Sequence, residues 1–333
     1  MAFRSRLLST MMLSGVVSCT LMNALAVRAA DLTLPRKAPI ADPPAVDGFN
    51  GKVDGFIGSA SNKPVYGAQA VLSFPVQRQY GVQIDGSGGT LDGSGFGSVA
   101  GHFFWRDPRN ALFGIYGDYT NWDRFGGVQV AHVAGEGAYY FGQYTLEGIA
   151  GVEFGNSTTS ALGSSVSIVT TPQNGAIPGV TTTTTSTLLG TASVRTRFFD
   201  QVNLAYYPTD DIKAYVGHRY VGGLNAAAFG GEVALPLGNR MMASAFAEAL
   251  AGEHSFHGIW GGLKLYFGQS DKSLVARHRR DDPSNWLSDS LFGMLNNQTG
   301  STSQSSSSQQ FCNAGSGLPV LSGGSCHPAG GGL

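Results

Sequence analysis

From Asn50 to Phe267, apolar and polar positions alternate with a period of two. In the stretch Tyr144–Phe154, Tyr144, Leu146, Gly148, Ala150, Val152 and Phe154 share one parity, while Thr145, Glu147, Gly151 and Glu153 share the other. Successive side chains of a strand point to opposite faces, so each such segment predicts a strand with one apolar and one wet face. About twelve segments follow this rule, near 50–59, 65–75, 79–86, 96–106, 110–121, 128–141, 143–155, 194–207, 212–221, 226–235, 240–251 and 256–267. Within 240–251, Ala243, Ala245, Ala247 and Ala249 would also suit a helix.

The connections alternate in length. Val76-Gln77-Arg78, Asp107-Pro108-Arg109, Gly142, Pro208–Asp211 and Pro236–Asn239 are short, whereas Gly86–Gly95, Trp122–Gly127 and above all Asn156–Ser193 are long. Aromatic residues gather near the short turns, among them Phe74, Tyr80, Phe103, Trp105, Tyr139, Phe141, Tyr144, Tyr206 and Phe267. Short turns on one side, long loops on the other and an aromatic girdle form the pattern of outer-membrane barrels, with the short turns in the periplasm. No sheet edge can stay unpaired in lipid. The chain is therefore predicted to be all-β, a closed antiparallel transmembrane β-barrel of about 12 strands, with 8–12 allowed. Asn156–Ser193, rich in Ser and Thr, reads as a mobile loop in preference to strands extended above the membrane.

Composition supports this class. Charged residues make up 13% of the 333 residues, about half the usual ~25%, and Gly numbers 48. A disordered chain would carry more charge and fewer aromatics than the 11% found here. A net charge of -1 supplies no field to attract nucleic acid.

At the amino end, Arg4 and Arg6 precede the largely apolar Leu7–Val27 and the small residues Ala29 and Ala30. Residues 1–29 read as a cleaved signal peptide; the alternatives are an uncleaved anchor, or a lipoprotein box at Val16-Val17-Ser18-Cys19. Residues 30–49 hold Pro35, Pro39, Pro43 and Pro44 and predict an extended periplasmic linker. Residues 50–267 form the barrel. Residues 268–333 differ in composition and predict a periplasmic tail. It contains a basic run (Lys272, Arg277, Arg279, Arg280) read as a solvated linker that could touch lipid phosphates or peptidoglycan. A short helix capped by Ser284 follows, with Trp286, Leu287, Leu291, Phe292 and Leu295 as its apolar stripe. Low-complexity Ser301–Gln310 comes next, and then Cys312 and Cys326, which are expected to pair as a disulfide. On this reading Thr181–Thr185 lies outside the cell, Ser301–Gln310 lies in the periplasm, and the barrel folds without the tail.

The same alternation assigns a lumen-facing set: Lys52, Asp54, Asp85, Asp118, Glu136, Glu147, Glu153, Lys213, Arg219, Glu232, Glu248 and Lys264, with Arg195 and Arg197. Phe56, Phe104, Tyr116, Phe199, Tyr215, Phe246 and Trp260 share that parity and would help fill the interior. A Lys at Val152 should cost roughly 2–4 kcal/mol at the bilayer midplane, and Glu153→Lys far less. His254, flanked by Glu253 and Ser255, could imitate a rim hydrolase, but ordinary loop polarity accounts for all three. No HExxH or paired CxxC occurs, so neither metal nor cofactor is expected and the chain reads as a non-enzyme.

Three stretches carry a resemblance to the small porin-like outer-membrane barrels of alphaproteobacteria: Ala30-Asp31-Leu32…Pro35-Arg36-Lys37-Ala38-Pro39; Tyr206-Tyr207-Pro208-Thr209-Asp210 followed by Val216-Gly217-His218-Arg219-Tyr220; and Gly261–Phe267 as a terminal strand ending in an aromatic. The resemblance covers roughly 30–267. It implies a structural, porin-like role with at most a small passive conductance, outer-membrane lipids and lipopolysaccharide as surroundings, and insertion by the barrel-assembly machinery. Two features depart from it. Those barrels commonly have eight strands and end at the final aromatic, whereas this chain continues for 66 residues. The alternative reading is a surface-binding or adhesion protein acting through residues 156–193.

Overall fold

The computed structural model describes residues 43–312, apart from 173, 175, 176 and 296 and the side chains of 288 and 290–292. The signal segment 1–29, most of the linker and Cys326 lie outside the described residues. Cys312 is disulfide-bonded.

The alternating segments form β1 (Asn50–Ala60), β2 (Lys63–Gln77), β3 (Tyr80–Leu91), β4 (Ser94–Asp107), β5 (Ala111–Trp122), β6 (Val128–Phe141) and β7 (Tyr144–Gly155). Next come β8 (Ser157–Thr171) and β9 (Gly179–Ser193), then β10 (Arg197–Thr209), β11 (Ile212–Val221), β12 (Leu224–Gly238), β13 (Met241–Gly252) and β14 (His257–Phe267). Twelve of these close an antiparallel barrel, and β8 and β9 stand outside it. Closure comes from β1 pairing with β14, Asp54 opposite Lys264. β7 pairs directly with β10, so the β8–β9 hairpin is an insertion that leaves the wall unbroken.

Two expectations change, at 86–95 and at 156–193, while 240–251 keeps its expected strand. The Gly-rich 86–95 stretch is not a loop: β3 and β4 run through it and turn at Asp92 and Gly93, both at positive φ. The alanine-rich 240–251 stretch is strand β13, because every other residue must face out while the backbone pairs on both sides. Asn156–Ser193 is ordered as two strands of 15 residues each, cross-linked by hydroxyl pairs such as Thr159–Thr191 at 2.9 Å.

The barrel's outer face is apolar, with Ile115, Val152 and Leu263 exposed. Rings stack around the short-turn end: Tyr139 on Phe141 and Phe141 on Tyr144, each pair 5.6 Å apart, and Tyr144 on Tyr206 at 5.0 Å. At the opposite rim the outer face turns polar. There His218 lies 2.9 Å from Asp200 and 3.2 Å from Asn225, which in turn bonds Glu253.

Beyond Phe267 the chain enters the barrel. Helix α1 (Leu274–Arg280) packs at the short-turn end: Leu274 N–H donates to Asp211, Arg277 to the Arg240 carbonyl, and Arg279 to the Gly142 and Tyr144 carbonyls. Helix α2 (Leu287–Leu295) reaches the other end, where Gly293 meets Gly222 in the β11–β12 turn. A Cβ on Gly293 would come within 2.6 Å of Val221 Cγ1 and 3.1 Å of the Gly222 nitrogen, so this crossing of backbones requires glycine. Asn297 then receives a bond from the Ser193 N–H, and β15 (Gln298–Phe311) pairs with β9 along its whole length.

This path overturns the expected topology. Ser305 lies opposite Thr185, and Ser307 opposite Thr183, so the two low-complexity segments share one side of the barrel. A β-strand cannot pair across a membrane, so the separate placement of Thr181–Thr185 and Ser301–Gln310 is wrong. Residues 268–312 are likewise not a tail lying wholly beyond the short turns. The basic run is not a solvated linker either. Lys272 pairs with Asp47 and Asp281, and Arg277 is buried.

Candidate functional site: the plugged lumen

Strand parity places the charged residues inside. Lys52, Asp54, Asp85, Asp118, Glu136, Glu147, Glu153, Arg219 and Glu232 are buried within the barrel, and Lys213, Glu248 and Lys264 line a cavity inside it. Arg195 is the exception: it lies exposed in the connection before β10, outside the strand register. Arg106 takes an inward place instead, with its guanidinium 4.7 Å from the Phe104 ring and donating to the Ala45 carbonyl.

One half of the interior is held wall to wall. His102 lies between Asp85 and Glu136, at 3.2 and 2.8 Å. His132 lies between Asp118 and Glu153, at 2.8 and 3.3 Å. The first imidazole joins β3 and β4 to β6 across β5, and the second joins the consecutive strands β5, β6 and β7, with a carboxylate at both ring nitrogens of each. Glu153 also meets Arg197 at 3.1 Å and accepts the Gly222 N–H at 3.0 Å. A Lys at 153 would therefore set a cation beside Arg197 and strip a backbone N–H of its acceptor. The expected mildness of Glu153→Lys is corrected: the residue faces the lumen, but not water.

The other half is held from wall to plug. Lys52 pairs with Asp282. Glu147 accepts from Ser284 at 2.6 Å and faces Lys213 at 3.2 Å. Arg219 donates to Asp289 at 2.6 Å and to Asn203 at 2.7 Å. His278 bridges Tyr207 and Tyr266, and Tyr266 donates to Glu232. Charge-assisted bonds of this kind, removed from water, are stronger than neutral ones and costly to leave half-made. Trp286 anchors the plug's apolar side. It is 3% exposed in a cluster with Ala100, Tyr116, Ala134, Ile149, Phe199 and Val221, and Arg219 lies 5.6 Å from its ring.

The linker closes the base. Val46 is fully buried against Phe104, Leu112 and Tyr140, and the Asp47 N–H donates to the Arg280 carbonyl. Partial burial works against ionisation of the Asp47 carboxyl, but Lys272 and Ser270 outweigh it and hold the group below its ordinary value. Between the plug and wall residues of β1, β2, β7 and β10–β14 lies a cavity of about 90 Å³, lined among others by Asp54, Glu232, Glu248, Lys264 and Trp260. That volume suits a few waters, not a passage.

Reading the alternation brought the wall carboxylates and bases together but missed the plug's Asp282, Asp289 and His278, and it gave Ser284 the helix cap, whereas Asn285 accepts the Leu287 N–H and Ser284 donates to Glu147. A signal was present: Lys272–Asp289 carries both signs at a density that an idle linker does not need. His102 and His132 share the parity of the inward acids, which the same alternation would have shown. At the rim, Glu253 is bonded to the backbone and side chain of Asn225, and His254 sits in a turn at positive φ.

No protein-family model and no curated protein matches this sequence. Among solved structures, the chain is similar to the CymD monoaromatic hydrocarbon channel, at 8% identity over 68% of this chain and 90% of that one, with a TM-score of 0.37. It is similar to the Pseudomonas putida toluene transporter TodX at 9% identity, over 67% and 91%, with a TM-score of 0.31. It is also similar to the translocator domain of the autotransporter NalP from Neisseria meningitidis at 10% identity, over 67% and 88%, with a TM-score of 0.32.

Proposed function

We propose that this protein is an outer-membrane barrel of porin-like architecture, closed at rest by its own residues 269–297. The short turns and the stacked girdle would face the periplasm, and the β8–β9–β15 sheet would stand outside the cell. The observation that carries this reading is the filled lumen. Lys52–Asp282, Glu147–Ser284 and Arg219–Asp289 tie the plug to the wall at three levels, and Trp286 packs between them. Such a barrel supports at most a small passive conductance while the plug is docked. The resemblance to alphaproteobacterial porin-like barrels, export through a cleaved signal and insertion by the barrel-assembly machinery belong to the same reading, as does the absence of catalysis.

Planar-bilayer recording tests it. The full chain is expected to pass little current, and a chain ending at Gly268 to open a larger pore. With the plug gone, the carboxylates of the wall outnumber its lysines and arginines but are matched once His102 and His132 are counted, so that pore should discriminate little between cations and anions. A large steady conductance from the full chain, or none from the shortened one, would refute the reading. Binding at the cell surface is the second reading, favoured by the three-stranded, hydroxyl-rich sheet that projects from the rim.

A further inference from the structure

We propose that the barrel delivers its own chain across the membrane: residues Gln298–Phe311 pass through the lumen and are displayed on the long-loop face, where β15 locks onto β9. The proposal rests on the orientation given above.

The geometry allows one route. Phe267 ends β14 at the short-turn end, opposite Gly51, while Gln298 pairs with Ala192 at the other end. Each of the twelve barrel strands is hydrogen-bonded to two neighbours, so the wall offers no seam. The intervening residues occupy the lumen and contact both of its ends, Arg279 at Gly142 and Asn297 at Arg197. The chain therefore runs through the barrel, not around it.

The chemistry of the segment is divided in the way a translocated chain needs. Its acids Asp282 and Asp289 stop inside, where Lys52 and Arg219 of the wall receive them, while Lys272 and Arg277 are held on Asp281 and Arg279 on the Gly142 and Tyr144 carbonyls at the short-turn end. The 14 residues of β15 carry no charge and no proline; they are Ser, Thr, Gln and Gly closed by Phe311. Such a stretch loses little on leaving water for a narrow interior compared with an ion. Its backbone finds strand partners only beyond the rim. There, pairing runs from Gln298 opposite Ala192 to Phe311 opposite Gly179, reinforced by hydroxyl bonds Thr182–Ser308 at 3.0 Å and Thr184–Ser306 at 3.1 Å. Without β15, the long charge-free strand β9 would leave an open edge, the kind that templates unwanted pairing. Capture by β9 therefore gives the passage a direction, and the charged plug sets where it stops.

Single cysteines at Thr183, Ser305 and the short-turn residue Arg109, probed on intact cells with a membrane-impermeant maleimide, test the display. Labelling at 183 and 305, with 109 protected until the membrane is opened, is the expected result. Labelling at 183 with 305 protected overturns the display and leaves the orientation standing. Labelling at 109 with 183 and 305 both protected overturns the orientation and the display with it. The locking step is tested separately by the pairs T185C with S305C and T187C with S303C, opposite each other on β9 and β15. Oxidation should cross-link both pairs in barrels whose heat-modifiable migration shows them folded. Folded barrels that fail to cross-link in either pair would overturn the lock.

Discussion

Replacing Trp286 by Ala separates plug from barrel. The indole is almost wholly buried against Ala100, Tyr116, Ala134, Ile149, Phe199 and Val221, and it carries the Arg219 guanidinium at 5.6 Å. Truncating a buried Trp to Ala costs roughly 3–5 kcal/mol, the transfer term plus the cavity left behind. Arg219 keeps Asp289 and Asn203, so the cation–π contact adds at most a small part of this. None of the strand pairings that close the wall involves Trp286, so the loss falls on docking and not on the barrel. At about 1.4 kcal/mol per tenfold change, the ratio of undocked to docked plug should rise by about two to four orders of magnitude. Single-channel recording should show openings at least a hundredfold more frequent than in the parent, with heat-modifiable migration unchanged. Equal opening frequency, together with equal protease resistance of residues 269–297, would show that lumenal packing does not hold the plug.

Val152→Lys should lower barrel stability by roughly 2–4 kcal/mol, and Glu153→Lys by roughly 3–5 kcal/mol because it breaks a buried charge network; denaturant unfolding in micelles compares the two, and a harmless Glu153→Lys would contradict the His132–Glu153–Arg197 contacts. Gly293→Leu should expel α2 from the β11–β12 turn and expose Arg277 and Arg279 to trypsin, whereas cleavage at them as slow as in the parent would mean that the backbone crossing can yield. Lys52→Met and Asp282→Leu should each loosen the plug by roughly 3–5 kcal/mol, but the double change by much less, since removing both charges leaves no uncompensated ion; additive losses in a double-mutant cycle of opening frequency would argue against the pair.

The alternation determined the inward side of nearly every strand, and together with the number of segments, the alternating loop lengths and the aromatic girdle it determined the class and a barrel of about twelve strands. A strand's two faces meet chemically opposite surroundings, and a shift of one residue would turn Glu147 and Glu153 outward and Leu146 and Val152 inward. That constraint is local and repeats in each strand, so it is written in the sequence. Among the residues it placed inward it failed at Arg195, beyond the end of its strand, where register no longer constrains the side chain, and it left out the inward Arg106. The loops were harder to read: hydroxyl-rich 156–193 has no apolar face to betray its strands, and its order comes from pairing between β8, β9 and a segment more than a hundred residues away. The plug was beyond reach for a related reason. Lys272, Asp282 and Asp289 look like solvent-exposed charges until closure of the barrel sets Asp47, Lys52 and Arg219 opposite them. Whether a charge sits in water or in a buried pair depends on what the fold brings within about 4 Å of it, and that proximity exists only once β1 has met β14 and the chain has turned back inside.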